Sequence, residues 1–163
     1  MTPTALQLFA WLTSLPQILD GHGHPIARPP AAVRVIAAVA VETPDPAFYA
    51  AALDVFAAHE SGYRPSAAGD CPGLRSGDPL CTRELGAHSC GAWQTPCATT
   101  PRDAAGQARS WVAIFRRSVT ACPAHPFAIL GTGRCIAWGG DRSREVEAAM
   151  LAPFPSLEAV ATR

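Results

Sequence analysis

Residues 45–67, DPAFYAAALDVFAAHESGYRPSA, decide the fold because they hold one long apolar helix with both of its ends marked. Asp45 is a favourable N-cap residue, and Pro46 suits the first helical turn. Apolar residues then recur at helical spacing along one side. Gly62 is expected to end the helix, since glycine readily adopts the left-handed conformation found there. The stretch therefore predicts a core helix that carries the carboxylate of Glu60 at its end.

Further helices are predicted on either side of this one from apolar spacing and capping residues. They cover residues 4–19 with Thr4 as a cap, residues 31–42, residues 103–120 with Asp103 near the start, and residues 143–151 with Ser143 as a cap. Residues 66–101 are rich in Gly, Pro, Ser, Thr and Cys, so they predict a long loop with little regular structure. No linker separates two cores. We therefore expect a single, mainly α domain over residues 1–163.

The composition is that of a folded protein without a strong charge bias. Of the 163 residues, 48% are hydrophobic and 16% are charged. The formal net charge is zero, which gives no support to a nucleic-acid or anionic-membrane partner. No segment reaches the 18 to 20 apolar residues of a membrane span. Residues 1–12 are apolar but lack a basic segment, so they predict a first helix rather than a signal peptide.

Six cysteines, at positions 71, 81, 90, 97, 122 and 135, favour disulfides. A zinc site needs closely paired ligands, and no C-x-x-C is present. Local pairs such as Cys71 with Cys81, or Cys122 with Cys135, fit the spacing, although sequence does not choose among about fifteen connectivities. Disulfides indicate an oxidising compartment, so we expect a periplasmic or extracellular location even though no export signal is visible.

Glu60 is the first candidate for chemistry. A general acid must hold its proton until the reacting oxygen needs it. The partially negative end of a helix and an apolar surrounding both favour a protonated carboxyl. The alternative is an ordinary surface glutamate at a helix end. His59-Glu60 does not begin an H-E-x-x-H zinc motif because Tyr63 replaces the second histidine. Catalysis by Cys90 with His125 is disfavoured because an even set of cysteines leaves no free thiol.

Three sequence blocks resemble those of a known enzyme family. Residues 60–67, ESGYRPSA, resemble the catalytic-glutamate motif of lytic transglycosylases of the soluble-transglycosylase type, which belong to the lysozyme-like superfamily. Residues 91–94, GAWQ, resemble that family's Gly-Leu-Met-Gln segment, and residues 135–140, CIAWGG, lie where the family has Ala-Tyr-Asn-x-Gly. The blocks occur in the family's order within residues 46–140. The resemblance implies a lysozyme-like fold with an added cysteine-rich loop.

The resemblance also implies roles for individual residues. Glu60 would act as general acid and then base on the MurNAc–GlcNAc bond of peptidoglycan. Ser61 would support the carboxylate or the substrate, and Gln94 would hydrogen-bond an N-acetyl sugar. Tyr63 and Trp93 would line the groove. The substrate's own 6-hydroxyl would attack the anomeric carbon and leave a 1,6-anhydro sugar, so no second carboxylate, metal or cofactor is expected.

Two departures from the family leave alternatives open. The Tyr-Asn pair is missing, so Trp138 or a backbone group would have to steady the glutamate and line the substrate site. The loop after Glu60 is longer than usual and brings three acids, Asp70, Asp78 and Glu84. One of them would activate water in a lysozyme-type, goose-like hydrolase, although that family's acid after the glutamine is here Thr95-Pro96.

A third reading is a lysozyme-like scaffold that has lost catalysis and only binds glycan. The expected partners are peptidoglycan glycan strands rather than nucleic acid. A larger cell-envelope or secretion assembly stays open as a second partner, and a monomer is expected.

Overall fold

The computed structural model describes residues 2–75, 78–132, 134–136 and 140–156. Helices hold 47% of the chain and strands 7%, so the fold is mainly helical with two small sheets. The described helices are α1 (Ala5–Ser14), α2 (Pro30–Ala40), α3 (Pro46–Ser61), α4 (Ala104–Ala121), α5 (Ala128–Thr132) and α6 (Gly140–Met150).

Helix α3 is the centre of the fold. Twelve of its sixteen residues are buried, and it contacts α1, α2, α4 and α6. The carboxylate of Asp45 accepts a hydrogen bond from the Phe48 amide, at 3.2 Å, and Gly62 ends the helix with a φ of 61°. The predicted helix and both of its end signals are confirmed.

The other predicted helices are present, but two of their boundaries differ from the expectations. Helix α1 ends at Ser14 rather than near residue 19, because Ile18–Leu19 form a strand instead. Thr4 and Gln7 form a reciprocal capping box at α1, and the Asp103 side chain caps α4 through the Gly106 amide at 2.7 Å. Helix α6 begins at Gly140, so the prediction of a start capped by Ser143 was wrong. Asp141 lies in the first turn, where its charge interacts favourably with the helix dipole.

The loop regions contain short antiparallel strands. Strands β1 (Ile18–Leu19) and β2 (Pro25–Ile26) pair after α1. In the cysteine-rich region, β3 (Ala68–Gly69), β4 (Ser89–Cys90) and β5 (Thr95–Pro96) form a sheet in the order β3-β4-β5. The region is therefore more ordered than the expected loop, and its sheet brings residues 67–70 beside residues 88–96.

Three disulfides join Cys71 to Cys81, Cys90 to Cys97, and Cys122 to Cys135. The two local pairs named from spacing are confirmed. In the chain-entropy picture, loops of this length stabilise the fold by about 2–3 kcal/mol each. Because Cys90 is bonded, it is not available as a thiol nucleophile beside His125. Within the described ranges, no helix has the length and apolar character that crossing a bilayer requires.

Aromatic rings fill the core between α3 and α4. Trp111 stacks on Phe115 with ring centroids 4.7 Å apart, and Phe56 lies 5.1 Å from Trp111. Such contacts add to the free energy gained by burying the rings. This cluster forms a rigid base beneath the end of α3.

Candidate active site

A cleft of about 250 Å³ lies between the end of α3, the three-stranded sheet and helices α4 and α5. Its apolar wall includes Phe56, Trp111 and Ile129. Its polar wall comprises Glu60, Asp70, His88, Ser89 and Gln94, with Trp93 beside them. The sequence-predicted residues Glu60, Trp93 and Gln94 are therefore brought together in one cleft.

Glu60 occupies the last turn of α3, with 26% of its side chain exposed. One of its carboxylate oxygens lies 2.8 Å from a guanidinium nitrogen of Arg142 on α6. The same guanidinium lies over the Phe56 ring, 5.2 Å from its centroid. In this structure the candidate acid is therefore paired with a positive charge.

Arg142 is a residue that sequence reasoning missed. It lies far from Glu60 along the chain, and the predicted start of the last helix at Ser143 left it outside any element. Because α6 begins at Gly140, both Arg142 and Glu145 belong to it. Residues three apart lie on one face of a helix, so these two side chains are neighbours. Glu145 contacts His59 at 3.0 Å. Two successive residues of α3 thus pair with two residues of α6.

Gln94 follows Trp93 in the tight turn between β4 and β5 and has a left-handed φ of 47°. Its side-chain nitrogen donates to the Gly91 carbonyl at 2.9 Å. The Ser89 hydroxyl lies 3.0 Å from the Gln94 side-chain oxygen and 2.5 Å from Asp70 Oδ2. The hydroxyl has one hydrogen, so it can donate to only one of these two oxygens, whereas an amide oxygen can accept two hydrogen bonds. The Gln94 side chain is therefore held through its nitrogen, and its oxygen retains capacity for a donor that enters the cleft.

Two glycines allow the loops around Gln94 to approach each other closely. A Cβ at Gly69 would lie 2.5 Å from the Gln94 side-chain oxygen and 2.9 Å from the Ser89 hydroxyl. Gly91 has a φ of 82°, and a Cβ there would collide with the Gln107 side chain. Both positions therefore require glycine if Gln94 is to keep its position.

Gln107 on α4 joins the two loops that carry the candidate site. It is 2% exposed. Its side-chain nitrogen donates to the carbonyls of Pro65, at 2.9 Å, and Arg102, at 3.1 Å. Its oxygen accepts the Ala92 amide at 3.0 Å. Sequence reasoning missed Gln107, although an amide side chain four residues before the core residue Trp111 was a usable signal.

Ser61 and Trp93 have roles that differ from those expected. The Ser61 hydroxyl is buried, donates to the Ala92 carbonyl at 2.8 Å and accepts the Arg64 amide at 3.1 Å. It therefore holds the backbone together, which corrects the expectation that it supports the carboxylate or a ligand. Trp93 does line the cleft but is only 3% exposed, and its ring nitrogen donates to the Leu53 carbonyl at 2.8 Å.

Tyr63 does not line the groove, which is a second correction. Its φ of 65° turns the side chain toward the core, where it is 5% exposed. Its hydroxyl donates to Asp54 Oδ1 at 2.7 Å, and Arg28 contacts the other oxygen of Asp54. Burial, and then the Asp54 charge, raise the pKa of Tyr63. Tyr63 therefore anchors the turn that follows Glu60.

The three candidate second carboxylates lie in different places. Asp70 lines the cleft with Glu60. Asp78 accepts the Leu80 amide at 2.9 Å in the cysteine-rich loop. Glu84 is exposed and pairs with Arg102 at 3.0 Å beside a separate pocket. Only Asp70 of these three shares a cleft with Glu60. Trp138 lies outside the described residues.

A second and larger groove, of about 710 Å³, lies along α6. It is bounded by the β1–β2 loop, by His59 and by Arg142, Arg144 and Glu145 of α6. A smaller cleft of about 220 Å³ includes Asp20, His59 and Glu60. Glu60 is thus adjacent to two clefts, and Arg142 borders the groove of about 710 Å³. In the parts of the chain described, no three His, Cys, Asp or Glu residues are grouped to hold a metal ion.

The geometry around Glu60 and the sequence motifs are the grounds on which a function is inferred. Comparisons with protein-family models, with curated proteins and with solved structures find no significant match for this chain.

Proposed function

We propose that this protein is a peptidoglycan lytic transglycosylase with a lysozyme-like fold, and that Glu60 is its catalytic acid and base. The observation that carries the proposal is the shared cleft of Glu60 and Gln94. These residues come from separate elements, α3 and the β4–β5 turn, and they are the two most characteristic positions of the family resemblance. Their convergence on one cleft is what that resemblance requires.

The local contacts support a binding cleft for a sugar bearing an acetamido group. Gln94 has a fixed amide with spare acceptor capacity on its oxygen, and it lines the same cleft as Glu60. An amide oxygen suits the N–H of an acetamido group. This contact needs no metal or cofactor.

In the proposed reaction, protonated Glu60 gives its proton to the glycosidic oxygen as the C1–O bond breaks. The resulting carboxylate then takes the proton of the substrate's 6-hydroxyl. The 6-oxygen bonds to C1 of the same sugar and closes a 1,6-anhydro ring. Because the nucleophile is tethered to the reacting carbon, water and a second carboxylate are not required.

A hydrolase of the lysozyme type is the second candidate, and one observation favours it. Asp70 lies in the same cleft as Glu60, with its carboxylate 2.5 Å from the Ser89 hydroxyl. A second carboxylate opposite the acid is the arrangement that activates water for inverting hydrolysis. The product, rather than the cleft residues, separates this candidate from the transglycosylase.

The three disulfides and the proposed substrate agree on location. Disulfides persist outside the reducing cytoplasm, and peptidoglycan lies there as well. We propose that the protein acts in the periplasm or outside the cell, as a monomer on glycan strands.

Digestion of purified sacculi followed by mass spectrometry of the products tests the proposal. Anhydro-muropeptides are expected, whereas new reducing ends would assign the hydrolase. Binding to sacculi without any release would assign a glycan-binding module that lacks catalysis.

The matched variants are Glu60→Gln and Glu84→Gln. Glu60→Gln should abolish release because an amide cannot donate and recover the proton. Glu84 is an exposed glutamate outside the cleft, so Glu84→Gln should retain the parent rate. Continued turnover by folded Glu60→Gln would refute the mechanism.

A further inference from the structure

We propose that Arg142 is a latch on Glu60 that a carboxylate of the substrate releases, so that the enzyme is selective for carboxylate-bearing glycan. The inference rests on the proposed function and deepens it. The geometry that leads to it is the 2.8 Å ion pair between Arg142, which lines the groove of about 710 Å³, and Glu60, which lines the cleft of about 220 Å³.

An acid catalyst must bring its carboxyl against the glycosidic oxygen for its first step. One carboxyl oxygen of Glu60 lies instead 2.8 Å from the Arg142 guanidinium, which occupies the place of the substrate. The pair is partly enclosed, with 21% of the Arg142 and 26% of the Glu60 side chain exposed, so solvent screens it only in part. Catalysis therefore needs Arg142 to leave Glu60.

A carboxylate of the substrate is suited to remove Arg142. A guanidinium offers a planar set of donors that matches a carboxylate with two parallel hydrogen bonds. Arg142 borders the groove of about 710 Å³, which has room for a substituent of a sugar bound beside Glu60. When Arg142 pairs with that carboxylate, the Glu60 carboxyl is free to contact the glycosidic oxygen.

The other charged groups around Glu60 do not replace Arg142 in this role. The titratable or charged side chains that border its clefts are Asp70 and His88 on one side, and Asp20, His22, His59 and Arg64 on the other. Arg64 donates to the Ser61 carbonyl at 2.8 Å, and His59 pairs with Glu145 at 3.0 Å. Asp20 accepts the backbone amides of His22 and His24.

The docking of α6 on α3 does not depend on Arg142 alone. The His59–Glu145 contact joins the same two helices, and Val146 of α6 is buried in the core. A substitution at Arg142 should therefore leave the helices in place. This separates the latch from a purely structural ion pair, whose loss would change stability but no substrate preference.

The direct test is binding of two probes to the inactive Glu60→Gln protein. The first probe is peptide-free glycan, whose muramic acids carry free carboxylates, and the second is the same glycan converted to methylamides. We expect Glu60→Gln to bind the carboxylate probe about tenfold more tightly, as one charge-assisted pair allows. The double variant Glu60→Gln with Arg142→Gln should bind both probes equally. A preference that survives Arg142→Gln, or no preference in either protein, would overturn the proposal.

Cleavage rates supply an independent readout. The parent protein should cleave the carboxylate probe faster than the amide probe. Arg142→Gln should raise the rate on the amide probe by about tenfold, because no guanidinium then holds Glu60 away from the substrate. Arg142→Lys, which retains the charge but not the two parallel hydrogen bonds, should keep the slow cleavage of the amide probe and show a smaller preference for the carboxylate probe. Equal rates of parent and Arg142→Gln on the amide probe would contradict the latch.

Two further comparisons identify the carboxylate that Arg142 binds and separate this proposal from the proposed function. Peptide-bearing strands carry their carboxylates on the peptide instead of the lactyl group, so their affinity relative to peptide-free strands identifies which carboxylate is used. If the parent cleaves neither glycan, the proposed function fails, while the binding comparison still decides whether Arg142 selects a carboxylate. Arg117→Gln, an exposed change on α4, controls for loss of positive charge.

Discussion

Arg28 and Tyr63 bind the two oxygens of one buried carboxylate, that of Asp54. Arg28 Nε lies 2.7 Å from Oδ2, and the Tyr63 hydroxyl lies 2.7 Å from Oδ1. Asp54 is 1% exposed, and burial raises its pKa against the opposing effects of Arg28 and Tyr63. The three residues connect the chain before α2, the middle of α3 and the turn after Glu60. The turn that follows Glu60 is thus attached to the buried carboxylate of Asp54 in the core.

Tyr63→Phe should destabilise the protein by about 1–3 kcal/mol, because one oxygen of a buried carboxylate loses its donor. Chemical denaturation measures the change. Tyr49→Phe is the matched control, since the Tyr49 ring packs edge-on against Phe115 at 5.6 Å and the ring is kept. Equal losses in the two variants would show that the Asp54 contact contributes nothing specific.

Alkaline pH should destabilise the parent protein more than Tyr63→Phe. Burial raises the pKa of Tyr63 above its ordinary value of 10.0. The folded state therefore keeps a proton that the unfolded state loses, so this contribution is complete below pH 10 and is lost as the pH rises further. The slope is about 1.4 kcal/mol per pH unit for one group. Tyr49, whose pKa burial also raises, is present in both proteins and cancels.

Denaturant midpoints of the two proteins, measured between pH 9 and pH 11, test this prediction. The difference in stability between parent and variant should shrink as the pH rises through this interval. If the difference in stability does not change with pH, the prediction is wrong, and the Tyr63 hydroxyl is in contact with solvent.

Gln107→Leu should lower both stability and cleavage. The buried Ala92 amide loses its acceptor, which costs about 1–3 kcal/mol. The loops that carry Pro65 and Gln94 lose their common attachment, so cleavage should fall at temperatures where the protein is still folded. Gln107→Glu keeps the acceptor for Ala92 but turns a second acceptor toward the Pro65 and Arg102 carbonyls and buries a carboxylate, so it should destabilise at least as much as Gln107→Leu.

Arg117→Ala serves as the control for Gln107, because it changes an exposed residue of the same helix. Denaturation and sacculus digestion are compared in all three variants. Full cleavage by folded Gln107→Leu would show that the loops hold their positions without it.

Asp70→Asn distinguishes the two candidate reactions. If the substrate's 6-hydroxyl is the nucleophile, the variant should lose less than about tenfold in rate, because Asp70 then only orders Ser89 and Gln94. If Asp70 activates water, the loss should approach that of Glu60→Gln. Ser89→Ala, which removes the contact with Asp70 but keeps the carboxylate, separates positioning from direct participation. Rates and product masses are measured together.

Local signals in the sequence were sufficient to predict α3 and its ends. Asp45, Pro46 and Gly62 act on their immediate neighbours, so their effects are readable without knowledge of the tertiary fold. The local pairings of Cys71 with Cys81 and of Cys122 with Cys135 were readable for the same reason. The cleft residues Glu60, Trp93 and Gln94 were found through motifs rather than through physical reasoning alone.

What could not be predicted depends on contacts between distant parts of the chain. The burial of Tyr63 follows from a positive φ that aromatic residues seldom adopt, and from a partner, Arg28, in another segment. The pairing of Arg142 with Glu60 requires α6 to lie across the end of α3. Asp70 was one of three acids in the loop, and only the sheet decides which one lies near Glu60.

The three disulfides each join a cysteine to the next one along the chain. A chain that crosses a membrane from its N-terminus presents its cysteines in the same order. An oxidant that joins two cysteines as soon as both have crossed the membrane therefore forms the three native disulfides directly. Rearrangement of wrong pairs by a disulfide isomerase is then unnecessary, and a strain that has an oxidant but lacks an isomerase should still yield correctly bonded protein.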